Sequence, residues 1–286
     1  MTDSKLTFMI KNKRIHFITG FPRCGNTLLG SILNQNPKIN ATAHSITPDI
    51  IANVDNIKSG SVESFQHWTY RTFPDERSLD NVLKNIFNLY YKDWSGDIIL
   101  ERGDWLTPYN FNLLSKYFDQ DIRIVVLVRT ITDIIKSYIY LCNKYPKFHI
   151  NSDYERLDPT TLYKSPLEEK CDLLMKKGSY IDCTLFGIKW LLDNDHNEKL
   201  LFVEYDDLVS DTISELKRIY SFLDIEFYNH NLSNLSQFKA NGVGYNDEFV
   251  GGDMHTIRVN KVEKVDHGIK LPSKVIAKYS GLESWR

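Results

Sequence analysis

Four cysteines in 286 residues, widely scattered, leave neither a disulfide framework nor a metal-ligand pair to read. Cys24, Cys142, Cys171 and Cys183 are therefore read as thiols. Charge of neither sign dominates: 35 Lys and Arg stand against 37 Asp and Glu, a formal net charge of −2. That balance carries no electrostatic footprint of a nucleic-acid binder or of general membrane affinity, yet it allows a local basic pocket for a small anion. No apolar run approaches the roughly eighteen residues of a membrane helix, and the first ten residues hold no long apolar run beside a basic segment. Neither a signal peptide nor stable membrane insertion is expected, and the expected location is the cytoplasm. Internal repeats and low-complexity tracts are also missing. What remains is a chain with 42% hydrophobic residues, long enough for a sizeable core and read as one domain over 1–286. Nothing in it speaks to oligomeric state.

The stretch from Ile15 to Leu33 organises the rest. An apolar β run (Ile15 to Thr19) meets a turn bounded by Gly20 and Gly25, and a helix follows with Leu28, Leu29, Ile32 and Leu33 on its buried face. In such a strand–turn–helix the backbone N–H groups of Cys24, Gly25, Asn26 and Thr27 converge at the positive end of the helix dipole, which makes a phosphate cradle. The two glycines stand five apart, as in a P-loop, but Asn26 occupies the lysine position and only Thr27 fits. A triphosphate kinase needs that lysine. Here the cation is Arg23, ahead of the second glycine, and Cys24 is read as a small residue that fits the turn.

Further along, Ile98-Ile99-Leu100 and Arg123 to Val128 read as buried strands, the second being the clearest in the chain. Helices are expected over Leu79 to Trp94, Asn110 to Tyr117, Leu167 to Met175, Tyr180 to Leu192 and Ser214 to Leu223, with a strand over Lys199 to Tyr205. Lys38 to Pro48 reads as a polar loop. Strands alternating with helices predict an α/β fold of three α/β/α layers around a mainly parallel, P-loop-like central sheet. Arg129 ends one strand and Ser137 follows eight residues later on the next helix, so both can point into one pocket, a planar fork beside a neutral hydroxyl.

The turn Pro22-Arg23-Cys24-Gly25-Asn26-Thr27 resembles the 5′-phosphosulfate loop of PAPS-dependent sulfotransferases, in a bacterial or phage-like branch. The strand ending in Arg129, with Ser137 eight positions on, resembles that family's 3′-phosphate site. Leu200 to Ile225 resembles a strand–helix segment common to the family, and Met254-His255-Thr256-Ile257-Arg258 resembles a late element that places an Arg near the nucleotide. Asn26, Cys24 and the Val259 after Arg258 depart from the pattern without removing a charge. The resemblance implies transfer of a sulfuryl group from 3′-phosphoadenosine 5′-phosphosulfate (PAPS) to an acceptor hydroxyl or amine, with release of the bisphosphate PAP and no metal requirement. It implies cofactor contacts at Arg23, Cys24, Gly25, Asn26, Thr27, Arg129, Ser137 and Arg258. The segments near 40–95 and 142–180 resemble the family least, and the resemblance implies that they lie on the acceptor side; the expected acceptor is a small molecule, a lipid or a saccharide.

An acceptor hydroxyl needs a base near the sulfur. His44 is one candidate, because a catalytic Glu falls at a similar spacing in tyrosylprotein sulfotransferases. Glu101 and Asp104, expected at a strand exit facing the cleft, are its rivals, with His255 a distant further one. Arg23 is the candidate for charge at the leaving oxygen. Two other classes stay open at this point: a P-loop-type small-molecule kinase using ATP, and a nucleotide-binding module without turnover.

Overall fold

The apolar β-branched runs assemble into one parallel sheet in the computed structural model, which describes residues 13–60, 76–144, 164–245, 247, 255–258 and 260–286. Its strands are β1 (Arg14–Gly20), β2 (Ile39–Ala41), β3 (Ile98–Arg102), β4 (Ile124–Val128) and β5 (Leu200–Glu204), in the order β2-β3-β1-β4-β5. Every pairing is parallel, with Phe17 opposite Glu101 on one side and Ile124 on the other. The five residues of β4 are wholly excluded from solvent, as a strand covered on both faces requires.

Helices flank the sheet. They are α1 (Asn26–Leu33), α2 (Thr47–Ser59), α3 (Glu76–Tyr90), α4 (Pro108–Tyr117), α5 (Ile131–Lys144), α6 (Leu167–Leu174), α7 (Tyr180–Asp193), α8 (Tyr205–Ser210), α9 (Thr212–Phe222) and α10 (Ser273–Tyr279). One group packs α2 on α3 and α4, another packs α5 on α6 and α10. Phe17 of β1 meets Phe87, Trp105 and Phe118 edge to face, with ring centroids 5.1–5.7 Å apart, which ties the central strand to the first group. A short antiparallel pair, β6 (Lys239–Ala240) and β7 (Val243–Gly244), stands apart from the main sheet. Among the described residues no helix is long and apolar enough to cross a membrane.

Two departures from the sequence reading matter for the site. The segment expected as a loop from Lys38 contains β2, a three-residue edge strand whose Ile39, Asn40 and Ala41 are buried against β3. And β3 continues through Glu101 and Arg102 instead of ending at Leu100. The parts of the expected acceptor-side segments at 61–75 and 145–163, and Met254, lie outside the described residues.

The fold buries His16 in β1, only 3% exposed, with neither ring nitrogen hydrogen-bonded. Desolvation, helped by Arg14 and Arg123, lowers its pKa to about 4. The folded state therefore prefers the neutral ring, and stability is lost as pH falls from the unfolded value near 6.5 toward 4. His16→Leu is expected to flatten that part of the acid limb, by on the order of 3 kcal/mol at most, in urea unfolding measured from pH 7 down to 4.

Candidate active site at the carboxyl edge of the sheet

The sheet order places β1 between β3 and β4, so the chain leaves β1 at the point where connections diverge to both sides. Ligands of open α/β sheets bind there. The turn after β1 is held by close packing: Gly20 sits at φ 136°, and a Cβ on it would lie 2.1 Å from the Leu127 carbonyl oxygen. Gly25, at φ 84°, caps α1, and a Cβ there would come within 2.9 Å of the Tyr205 ring. Only glycine satisfies both positions. Asn26 donates from Nδ2 to the Phe21 carbonyl at 2.9 Å and so clamps the turn from inside.

Thr107, Ser179 and Asp211 each cap their helices by accepting from a backbone N–H, at 3.2–3.3 Å. No side chain caps α1, and its first turn holds no acidic residue. Its N–H groups and dipole instead open onto a cavity of about 610 Å³ lined by the turn, by Arg129 at the end of β4 and by Ser137 on α5. Across from them stand Tyr205 and a covering strand of chain with His255, Arg258 and His267.

The cations are held close together. Arg23, at a left-handed φ of 66°, donates from Nε to Ser137 Oγ at 3.1 Å. Its burial lowers its pKa, and Arg129 adds to that effect. Arg129 is 6% exposed, stacks over the Tyr205 ring at 4.4 Å and points Nη1 toward the Arg23 carbonyl at 3.5 Å. Its Nε is buried with no hydrogen-bond partner, Asp133 standing 4.0 Å away. Arg258 reaches the same cavity and pairs with Glu263. An anion fits this set: it would complete an orphaned guanidinium nitrogen and the uncapped helix start together.

Several residues expected in the site are there, and three side chains are not. Gly25, Asn26, Thr27, Arg23, Arg129, Ser137, Arg258 and His44 all line the cavity. Cys24 turns away: its thiol is fully buried, 3.7 Å from the Pro22 carbonyl, and burial drives its pKa far upward, so only its backbone can serve the cradle. Glu101 corrects an expectation. It does not line the cavity, because β3 runs on past Leu100 and alternation turns its side chain into the helix layer. There it is 0% exposed and accepts from Thr47 Oγ1 and Trp105 Nε1, with Tyr91 Oη 3.5 Å away; desolvation raises its pKa. Asp104 accepts from Tyr180 Oη at 2.7 Å and faces a small neighbouring cavity.

The same alternation that removes Glu101 delivers Arg102, which lines the cavity and donates Nη1 to the Ala43 carbonyl at 2.7 Å. Residue-by-residue alternation from Ile98 was the available signal. His255 was placed last among the bases, yet it lines the cavity with Nδ1 2.5 Å from Asp247 Oδ1 and its own backbone N–H donating to Oδ2 at 2.9 Å. Eight positions separate Asp247 from His255 with no motif pairing them, so nothing in the sequence joined them. Burial lowers the pKa of both His44 and His255; Asp104 opposes this at His44 and Asp247 at His255, while Arg102 works with it at each. Both imidazoles are thus biased to the neutral, proton-accepting form.

Residues 14–243 match the model of the family described as "Sulfotransferase domain". The chain belongs to the sulfotransferase family. Its structure is similar to the sulfotransferase domain of the olefin synthase of Synechococcus PCC 7002, at 16% identity and a TM-score of 0.50, covering 93% of this chain and 94% of that one. Also similar are the sulfotransferase domain from the curacin biosynthetic pathway (13% identity, TM-score 0.49, 93% and 97% covered) and the sulfotransferase of Alicyclobacillus acidocaldarius (12%, 0.49, 93% and 89%). At such identities the likeness is one of fold. No individually curated protein matches the sequence. As a sulfotransferase, the enzyme transfers a sulfuryl group to an acceptor.

With Glu101 outside the cavity, Glu101→Gln is expected to leave kcat/KM of this sulfotransferase little changed. Unfolding should become easier by ~1–3 kcal/mol, because an amide sets an N–H against donors that now find only carboxylate oxygens. Denaturant unfolding read beside turnover checks both halves.

Proposed function

We propose that the sulfuryl donor is PAPS and that this sulfotransferase moves the group by in-line displacement to an acceptor hydroxyl or amine, releasing PAP. One observation carries the reading: the buried Arg129, with Nε lacking a partner, faces the same cavity as Arg23, Ser137 and the uncapped start of α1. That set suits a ligand with phosphate at both ends of a nucleoside. The amides of Gly25, Asn26 and Thr27 would take the 5′-phosphate, and Arg129, Ser137 and Arg258 the 3′-phosphate. Arg23 touches Ser137 and belongs to the turn, so it stands between the two groups and neutralises charge on the leaving oxygen. Charge on the leaving group is met by arginines and amides, and the reading requires no metal.

In the transfer, an acceptor oxygen forms a bond to sulfur while the bond from sulfur to the phosphate oxygen breaks, its electron pair leaving with PAP. The acceptor proton goes to a base. We assign that base to His255 ahead of His44: Asp247 accepts at Nδ1, which leaves Nε2 as the acceptor nitrogen, and holds the ring by a second bond to its backbone. Tyr138, Tyr180 and Tyr245 line the cavity on the acceptor side and suit a hydroxyl on a small molecule, a lipid or a sugar. We read the chain as working as one domain, since residues from Pro22 through His267 share the cavity and His44 and Tyr180 come from the two expected acceptor-side segments. All four cysteines are thiols, in line with a cytoplasmic place of work.

PAP without magnesium is expected to raise the melting temperature, with about 2.7 kcal/mol of stabilisation at a hundredfold excess over Kd. A rise with ATP and magnesium but none with PAP would overturn the donor assignment. For the base, His255→Ala is expected to lower kcat about 10²–10⁴-fold with PAP affinity unchanged and to remove the acidic limb of the pH–rate profile. If that limb survives in His255→Ala and vanishes in His44→Ala, the base is His44.

A further inference from the structure

The covering segment brings one more titratable group against the phosphate-facing side chains. His267 stacks on Tyr140 of α5, ring centroids 4.2 Å apart and planes at 21°, and its Nε2 stands 3.5 Å from Ser137 Oγ. That oxygen already accepts from Arg23 Nε. The Ser137 hydroxyl hydrogen is free to turn toward Nε2, an arrangement in which the imidazole is a neutral acceptor. The surrounding charges agree. Burial, then Arg23 and Arg129, lower the pKa of His267, and Arg258 adds to them.

Little opposes those cations. Asp266, the neighbouring carboxylate, accepts from the Gly268 N–H at 2.8 Å. Asp133 on α5 accepts from Lys136 at 2.9 Å and stands 3.7 Å from Lys264, which also pairs with Asp206 of α8. Glu263 pairs with Arg258 and Lys261. The remaining facing groups, Tyr138, Tyr140 and Tyr205, are phenols.

We propose that His267 is a further ligand of the donor's 3′-phosphate, a phosphate monoester, and that it takes up a proton from solvent as that phosphate binds. The proposal rests on the donor reading above. A dianion at Ser137 takes over the hydroxyl hydrogen and offsets the field of Arg23 and Arg129. Nε2 then loses its hydrogen-bond donor and faces phosphate oxygens, so it gains a proton and donates. The bound state holds a proton that the free state lacks, so affinity is greatest at low pH and falls as pH rises between the free and bound pKa of the ring. The phosphate's own second ionisation lies near about 6, so the effect is read above pH 7, where the ligand is already a dianion.

The experiment is calorimetric titration of the full chain with PAP from pH 7 to 8.5, in pairs of buffers that differ in ionisation enthalpy. The wild type is expected to take up a fraction approaching one proton per PAP at the low end, with affinity falling by up to about tenfold per pH unit. His267→Asn keeps a neutral hydrogen-bonding group; it is expected to bind PAP without that uptake and with a flat pH dependence, its melting temperature without PAP reporting an intact fold. Wild type that binds PAP with no proton uptake, or His267→Asn that retains it, overturns the proposal. Wild type that binds no PAP overturns the donor reading, and this inference with it.

Discussion

Everything at the carboxyl edge of the sheet is shaped by a surplus of positive potential that the protein does not neutralise internally. A buried guanidinium without a full set of partners costs several kcal/mol, and Arg129 is offset only in part by the Tyr205 face, a long contact to the Arg23 carbonyl and Asp133 at the edge of ion-pair range. The start of α1 adds its own partial charge without a capping side chain. Three other helices do carry a capping side chain, and surface cations such as Arg123 and Lys189 are paired. The partly compensated Arg129 and the uncapped start of α1 meet at the cavity, and together they suit an anion rich in oxygen, gripped from several directions.

The sheet makes this surplus possible. Because all five strands run parallel, each delivers its carboxyl end to the same edge: the turn after β1, His44 after β2, Arg102 at the end of β3, Arg129 after β4 and Tyr205 after β5. The connections after these strands thereby bring the glycine-bounded turn, His44 and the arginines to one cavity. The covering segment from His255 to His267 closes the site from the opposite direction and brings the second imidazole, the late arginine and the ring at Ser137.

Much of this was legible in the chain. The β-branched run of β4, the glycine-bounded turn and the spacing of Arg129 to Ser137 are local patterns, each dictated by residues that are neighbours in sequence, and each folded as read. Glu101 shows where local reading fails. Ending β3 two residues early leaves a carboxylate at the mouth of the cleft; continuing it puts that carboxylate inside and its neighbour Arg102 outside. Strand ends are set by pairing with β1 and β2, which a single stretch of sequence does not encode. The same holds for β2, whose three residues carry no pattern of their own and become a strand only because β3 offers them a ladder.

By itself, then, the sequence determined that the fold is α/β, that a glycine-bounded turn shaped for an anion follows the first strand, and that the turn carries an arginine and lacks the lysine of a P-loop kinase. Those features depend on backbone conformation and on periodicity, which nearby residues control. Only the tertiary structure decided which side chains share the cavity: that Arg23 meets Ser137 across the sheet, that Asp247 orients His255, and that His267 reaches the same hydroxyl. These contacts join residues 8 to 130 positions apart, some in segments without regular structure, and their geometry follows from how the packed sheet and its covering segment meet rather than from any local preference.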